Sequence, residues 1–259
     1  MKFRIDHDLH IHSLVSPCSA DSRQTKEAIL AYGLTNGFSL VGLSDHYWPD
    51  TREKAWVSLG EVPRSEGCRF LKGMEVDMDM HGNLLLTPEE MERLDYFLIS
   101  LTHLHLVGYV TPEDAIPATA EQTAEIVKKR LRALLQMDLP FARMGLAHLT
   151  FIPQPKGVHL TECLACFSVA EWEDLFSQLA KRGMGIELNF DLDHYTPSQQ
   201  EQVLLPYRIA KRMGCQFYLG GDAHHPEGFI KTRTRFEKIV EALALTEDNK
   251  WELVKQNRK

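Results

Sequence analysis

Two histidines separated by a single residue lie near the start of the chain, in the stretch Asp8-Leu9-His10-Ile11-His12. Successive side chains of an extended strand point to opposite faces, so His10 and His12 would project from the same face. Two imidazoles on one face can bind one metal ion. The pair could equally be an ordinary buried or solvated one, so the rest of the chain must decide between the two interpretations.

Titratable side chains also end five other apolar runs. The motifs are Ser44-Asp45-His46, Gly73-Met74-Glu75-Val76-Asp77, Ser100-Leu101-Thr102-His103, Gly145-Leu146-Ala147-His148 and Gly220-Gly221-Asp222-Ala223-His224. A single His or Asp after a strand is usually a polar loop residue, but such endings recur here along most of the chain. Histidine and carboxylate ligands together suit zinc, manganese or iron. Because the candidates outnumber the ligands of one ion, the sequence predicts a multinuclear site with a bridging carboxylate.

Repeated strands and helices would have to position these motifs. Apolar runs predict seven strands, at 3–11, 40–44, 70–76, 96–101, 143–147, 185–189 and 216–220. The intervening and following stretches predict helices at 25–36, 121–135, 168–182, 197–213 and 234–245. Nearly continuous apolar strands that alternate with helices indicate a parallel α/β architecture. The size suits a barrel of seven or eight strand–helix units, whose functional face lies at the carboxyl ends of the strands.

Composition narrows the class of protein further. Hydrophobic residues make up 44% and charged residues 25%, which is typical of a soluble globular protein. Acidic residues outnumber basic ones by 36 to 29, which argues against a nucleic-acid partner bound by bulk electrostatics. Apolar runs are too short for a membrane span or a signal peptide. Five irregularly spaced cysteines favour reduced thiols and a cytoplasmic location. Without repeats or linkers, residues 1–259 are expected to form one domain.

The order of the motifs resembles that of the PHP (polymerase and histidinol phosphatase) family. The order is HxH, S-D-H, G-x-E, a strand-end His, A-H and G-D-A-H, and it extends from His10 to His224. The resemblance implies a distorted (β/α)7, TIM-like barrel. It also implies a metal-dependent phosphoesterase with a trinuclear centre of zinc, manganese or iron.

The resemblance further implies how the metal ligands are shared among the ions. The first ion would be held by His10, His12, Glu75 and Asp222. The second would be held by Glu75, His103 and His148, which makes Glu75 the bridge. The third would be held by His46, His224 and a residue of the loop after the HxH motif.

Two positions depart from the family pattern. Relatives often have a histidine in the loop after HxH, where this sequence has Cys18. A thiolate binds zinc well, so Cys18 is retained as a ligand, and Asp21 is a nearby substitute. The family usually reads S-x-H at strand four, whereas here His103 and His105 both follow Ser100. These two histidines would face the same way on an extended strand, and we favour His103.

These residues lead to a hypothesis of phosphate ester hydrolysis. Clustered divalent ions neutralise phosphate oxygens, lower the pKa of a bound water toward ~7 and stabilise the leaving oxygen. The hydroxide so formed would attack phosphorus. We expect turnover to require Asp222, and we expect His224 or Asp45 to assist proton transfer.

Residues after the last motif are candidates for substrate binding. Lys231 and Arg233 could contact the phosphate, because cationic side chains match its charge and geometry. His225 could contact another part of the substrate. The leading substrate is a small phosphomonoester, with histidinol phosphate as one candidate.

Three alternatives remain open. Hydrolysis of a nucleotide or a nucleic-acid end is disfavoured by the acidic charge balance. Amidohydrolase chemistry is disfavoured because no strand-end lysine is present to hold a bridging carbamate. A metal-binding module without turnover is disfavoured because the ligand set is nearly complete.

Overall fold

The computed structural model describes residues 1–19, 21–153 and 155–257. The strands in this part of the chain are β1 His7–Ile11, β2 Leu40–Leu43, β3 His46–Tyr47, β4 Arg69–Lys72, β5 Glu75–Asp77, β6 Phe97–Ser100, β7 Met144–Leu146, β8 Gly185–Leu188 and β9 Gln216–Leu219. The helices are α1 Lys26–Thr35, α2 Arg52–Ser58, α3 Pro88–Met91, α4 Ala120–Gln136, α5 Leu160–Ala165, α6 Val169–Arg182, α7 Pro197–Arg212, α8 Thr232–Ala242 and α9 Glu252–Gln256.

All strand pairs are parallel, and the strands form two sheets of orders β1-β2-β4 and β3-β5-β6-β7-β8-β9. β2 and β3 are successive pieces of one extended segment, and so are β4 and β5. The backbone pairing continues across these breaks, because Gly73 N donates to Leu43 O and Glu75 N donates to Asp45 O. With each broken segment counted once, the strands match the seven predicted from sequence.

The first and last strands lie beside each other without forming a ladder. Among the described residues, one bridge joins Ile11 to Ala223. Two hydrogen bonds add to it, from His12 N to Ala223 O and from Asp222 N to His10 O. The structure therefore shows a mixed α/β fold with parallel sheets, and no closed barrel is detected in the described part of the chain.

A small apolar cluster fills the space enclosed by the strands. It joins side chains from both sheets and from the C-terminal segment: Leu9, Leu40, Leu71, Tyr96, Leu98, Ala147, Tyr218, Trp251, Leu253 and Val254. Strand glycines make room for its rings, since a Cβ at Gly42 or Gly73 would overlap Tyr96. The Tyr96 hydroxyl donates to Leu9 O at 2.6 Å and to Leu43 O at 3.1 Å. This packing draws the two sheets around a common interior.

The five predicted helices are all present, with ends that differ from the predicted ones by at most three residues. Local chemistry explains the sharpest boundaries. Ser168 caps α6 in a capping box with Glu171, and Gly183 ends that helix in the left-handed conformation, at φ 76°. The short helices α2, α3, α5 and α9 were not predicted, because fewer than two turns show no clear helical periodicity. None of the described helices has both the length and the apolarity needed to cross a membrane.

A buried arginine of α4 holds the loops that follow two strands. Arg130 Nε donates to Leu101 O at 3.1 Å, just beyond β6. Its two terminal nitrogens donate to carbonyls of Met78, Asp79 and Val110. These bonds give donors to backbone carbonyls at the ends of several segments. The helix thereby holds the segments that follow β5 and β6, next to the motif residues Glu75 and His103.

Candidate metal centre

Eight motif side chains converge at the carboxyl ends of the strands. They are His10, His12, His46, Glu75, His103, His148, Asp222 and His224. Seven of them join in four groups of three whose potential ligand atoms lie within 4.8 Å of one another. The groups are His12/His46/His224, His10/His148/Glu187, His10/His12/Glu75 and His46/Glu75/His103. The fold therefore brings together imidazoles and carboxylates that are far apart in sequence.

Glu75 lies at the centre of the cluster and is buried. Its Oε2 faces three imidazoles, at 2.9 Å from His46 Nδ1, 3.3 Å from His10 Nε2 and 3.5 Å from His12 Nε2. Its Oε1 faces two others, at 3.3 Å from His148 Nδ1 and 3.7 Å from His103 Nε2. A carboxylate with a separate set of imidazoles on each oxygen has the arrangement needed to bridge two ions.

Asp222 closes the cluster on the side of the last strand. Its Oδ1 lies 3.2 Å from His12 Nε2 and 3.4 Å from His10 Nε2, and its Oδ2 lies 3.3 Å from His148 Nε2. Asp222 and His148 both adopt the left-handed backbone conformation, with φ of 52°. Aspartate and histidine tolerate this region better than most residues. The turns after β7 and β9 can therefore aim both side chains inward.

Two buried carboxylates that we did not predict as site residues orient the histidines. Glu187 Oε1 accepts from His10 Nδ1 at 2.5 Å, and Glu187 Oε2 accepts from His148 N at 2.8 Å. Asp77 lies 3.1 Å from His103 Nδ1. A carboxylate on the far ring nitrogen of a histidine fixes the tautomer and raises the basicity of the ligand nitrogen. Both acids lie at the ends of predicted strands, and Asp77 is two residues from Glu75, so its side chain is expected on the same face. These two patterns could have identified Glu187 and Asp77 as site residues.

Asp45 lies behind the histidines and forms several hydrogen bonds. Its carboxylate accepts from the Ser13 amide at 2.7 Å and from the hydroxyls of Ser13, Ser16 and Ser58 at 2.7 to 2.9 Å. Ser16 Oγ also lies 3.0 Å from His12 Nδ1. The structure thus places Asp45 in contact with the loop that supports His12, and hydrogen bonds occupy both its oxygens.

Six ligand atoms of the cluster are buried and make no well-directed hydrogen bond within the described residues. They are His46 Nδ1, both oxygens of Glu75, both ring nitrogens of His148 and Asp222 Oδ1. Buried polar atoms are nearly always satisfied, and each that is not costs about 1–3 kcal/mol. Their donor chemistry, imidazole nitrogen with carboxylate oxygen, is that of a zinc, manganese or iron site. The residues present therefore fit bound divalent ions.

The pKa values of four cluster side chains suit metal binding. Burial and neighbouring imidazoles lower the pKa of His12 and of His224 to about 4, so both rings are neutral at pH 7. Burial alone would raise the pKa of Glu75 and of Asp222, but the surrounding imidazoles hold both well below the usual range. Metal ligands must be neutral histidines and ionised carboxylates, which is the state favoured for these four side chains.

Three other histidines of the cluster are shifted the opposite way. Nearby carboxylates outweigh burial and raise the pKa of His10 and His148, and that of His103 to about 9. These rings would therefore release a proton on binding an ion.

A cavity of about 540 Å³ opens onto the cluster. Cys18 and His105 line it together with His46, His103 and His224. Cys18 belongs to none of the four groups, and burial raises the pKa of its thiol to about 12. His105 is exposed and also lies outside the groups, with its ring centroid 5.3 Å from that of His103. The structure thus brings His103 rather than His105 against Glu75.

The predicted substrate-binding residues do not line this cavity. Arg233 donates to the carbonyls of Ile5 and Asn36, which precede β1 and β2 and so lie at the amino ends of the strands. Lys231 is exposed at the start of α8, and His225 is exposed in the turn after His224. Asp21, the substitute for Cys18, pairs instead with Arg23 at 2.5 Å.

Comparisons with known proteins give a likeness in structure and none in sequence. No family model and no curated protein matches the chain. A crystal structure of histidinol phosphate phosphatase from Lactococcus lactis, complexed with zinc, L-histidinol and phosphate, superposes with a TM-score of 0.62 at 15% identity. The match covers 93% of this chain and 94% of that one.

Two other solved structures are far less similar to this chain. The match to a chain of an archaeal ribonuclease P with mature tRNA covers 96% of this chain and 90% of that one, with a TM-score of 0.37 and 12% identity. A dihydropteroate synthase from Xanthomonas albilineans covers 91% and 94%, with the same TM-score and identity. TM-scores this low do not indicate a shared fold. The TM-score of 0.62 does, so the chain shares its fold with the Lactococcus lactis histidinol phosphate phosphatase.

Proposed function

We propose that this protein is a metal-dependent phosphoesterase that hydrolyses a small phosphomonoester, and that it belongs to the PHP family. The observation that carries the proposal is the set of six ligand atoms of Glu75 and its neighbours that are buried at the carboxyl ends of parallel strands and make no well-directed hydrogen bond within the described residues. The fold shared with a zinc-complexed phosphatase supports it. We further propose that the strands form a distorted (β/α)7 barrel, that the chain is a single domain, and that the protein is located in the cytoplasm.

The cluster contains two groups of imidazoles, one facing each oxygen of Glu75. We propose that one ion is held by His10, His12, Glu75 and Asp222, a second by Glu75, His103 and His148, and a third by His46, His224 and Cys18. Hence two or three zinc, manganese or iron ions would be bound. Such ions, when bound, supply positive charge for a phosphate and activate water for attack.

The protein's own residues orient these ligands. Glu187 and Asp77 hold His10 and His103 in the tautomer that presents Nε2 to the centre. Asp45 holds Ser16, which contacts His12 Nδ1, so we propose Asp45 as a positioning residue. His224 stacks on His12 with a centroid distance of 4.0 Å and borders the cavity. That position lets His224 contact substrate or move a proton if it is not ligated.

Phosphate release from a panel of phosphomonoesters tests the proposal. The panel contains histidinol phosphate and nucleotides, and the protein is reconstituted with manganese, zinc or iron. We expect metal-dependent release that is lost in Asp222→Asn, because asparagine tolerates the left-handed backbone of this position while removing the charge. Asp193→Asn, at an exposed ion pair with Lys238, is the matched control. Full activity of Asp222→Asn would contradict the proposal.

Amidohydrolase chemistry is the second candidate, because HxH motifs and strand-end ligands also serve that reaction. The same metal-loaded protein is therefore tested against cyclic amides and lactones. Release from these substrates, with no phosphate release from the panel, would replace the phosphoesterase assignment.

A further inference from the structure

The cavity over the metal centre is lined by two kinds of side chain. Some are the ligands themselves, and others are the apolar side chains of Trp48, Phe151 and Ile152. The Trp48 ring stacks on His46 at a centroid distance of 4.1 Å and an angle of 20°. Its Nε1 donates to Asp77 Oδ2 at 2.6 Å, which fixes the indole in place. An indole held against a ligand is therefore part of the cavity lining.

Charged side chains are scarce around this cavity. Within the described residues that line it, there is no lysine or arginine, and Asp222 is the one carboxylate. We have assigned Asp222 to the metal centre. Cys18 is likewise assigned to the centre, so the polar groups left in the lining are the hydroxyls of Thr102 and Thr150 and the His105 ring. The negative charge of a bound substrate would therefore be neutralised by the metal centre and by no basic side chain of this lining.

We propose that the alcohol part of the substrate is uncharged and carries an apolar ring that packs on Trp48. This inference rests on the proposed phosphoesterase function. The phosphate would lie at the metal centre and the ring beside the indole, where offset stacking and apolar burial stabilise it. An ammonium group in the same place would lose its hydration and gain no carboxylate partner, and a cation–π contact with the indole, worth about 0.5–2 kcal/mol, would offset only part of this cost. Amino alcohol phosphates, histidinol phosphate included, are therefore poor substrates.

A matched pair of esters tests the inference. Benzyl phosphate and 2-aminoethyl phosphate share the phosphate and differ in ring and charge. With manganese-loaded protein we expect kcat/KM at least about tenfold higher for benzyl phosphate, the equivalent of burying roughly one face of a ring. Calorimetric titration with benzylphosphonate and 2-aminoethylphosphonate gives the same comparison without turnover, and we expect the same order of affinity.

A substitution at the cavity mouth sharpens the test. Ile152 is 86% exposed, so Ile152→Glu places a carboxylate beside the cavity with little expected effect on folding. We expect this variant to reduce the preference for the benzyl compounds about tenfold, by improving the binding of the ammonium compounds. Val57→Glu, at a position 78% exposed outside the cavity, is the control and should leave the preference unchanged.

The possible failures are distinguishable. If phosphate is released but 2-aminoethyl phosphate or histidinol phosphate is used as well as benzyl phosphate, the substrate class is wrong and the phosphoesterase function stands. An equal response of the two glutamate variants would also overturn the inference. If no ester is hydrolysed with any metal and neither phosphonate binds, the phosphoesterase function itself fails.

Discussion

Two clusters of buried polar groups lie at opposite ends of the strands, and they differ in how their atoms are satisfied. At the amino ends, the Lys250 ammonium is fully buried and donates to Arg4 O at 2.8 Å and to Asp6 Oδ1 at 2.9 Å. It also pairs with Glu247 Oε1 at 2.9 Å. At the carboxyl ends, the atoms of Glu75 and His148 face one another without well-directed hydrogen bonds within the described residues.

The difference separates a structural cluster from the one that we propose to bind metal. A buried charge with good partners ties chain segments together, here the N-terminal segment and the end of the chain. Buried ligand atoms without such partners keep their lone pairs available for a ligand that has not been supplied by the chain. His7 and His10 show the contrast within one strand, because His7 Nε2 accepts from Leu219 N at 3.0 Å while His10 Nε2 faces the centre.

The largest expected effect is at Glu75, which would be the bridge between ions. Glu75→Gln removes the charge that faces five imidazoles, and we expect turnover to fall by about a thousandfold or more. Metal content, measured by mass spectrometry after desalting, should fall as well. Glu171→Gln makes the same change outside the site and should keep normal turnover and normal metal content. A Glu75→Gln protein with normal metal content and turnover would remove the distinction between the clusters.

The next effect is on stability and belongs to the other cluster. Lys250→Met leaves buried carboxylate oxygens without their ammonium, and we expect the free energy of unfolding to fall by about 3 kcal/mol. Urea denaturation measures the loss, and Lys255→Met, at a more exposed pair with Glu252, is the control. Metal affinity of the folded variant should be unchanged. A loss no larger than that of the control would show that Lys250 does not hold the termini together.

A smaller effect is expected at the carboxylate behind His10. Glu187→Gln keeps an acceptor for the His148 amide but removes the charge that orients the imidazole. We expect metal affinity to weaken by about tenfold to a hundredfold, as for other residues that support metal ligands. Competition with a coloured chelator measures it, with circular dichroism as the check on folding. Unaltered affinity would assign Glu187 a structural role only.

The smallest effect concerns an ordinary helix start. The hydrogen bonds from Lys128 and Ser168 lower the pKa of Glu171 to about 2. A depressed carboxyl pKa stabilises the folded state above the unfolded value of about 4.3, and this contribution is lost as the pH falls toward about 2. Glu171→Gln should therefore cost about 1 kcal/mol at pH 7 and progressively less below pH 4. Urea denaturation across this range measures the difference, which would stay constant if the charge were irrelevant.

Sequence patterns were most informative where one strand was enough. Alternation on β1 predicts that His10 and His12 share a face, and the structure places their Nε2 atoms 3.0 Å apart. Partners from distant strands were harder to predict, because nothing in the sequence near Glu187 indicates that its neighbour is His10. The strand predicted at 70–76 is broken into β4 and β5 at Gly73, where a Cβ would overlap Tyr96, although the Gly73 amide keeps the backbone pairing by donating to Leu43 O. We expected Arg233 near the cavity because it follows the last motif, but its side chain reaches the amino ends of the strands. Its position in the sequence does not indicate which end of the strands the side chain reaches.

The left-handed backbone at His148 and Asp222 limits how these positions can change over time. A residue with an ordinary side chain costs roughly 1–2 kcal/mol in this conformation, whereas glycine, asparagine and aspartate are tolerated. A saturation library selected for folding alone should therefore be enriched in glycine and asparagine at both positions. Selection for metal binding should return histidine and aspartate. A descendant released from selection for the proposed metal site would then be expected to carry Gly or Asn at these two turns, a change readable from sequence alone.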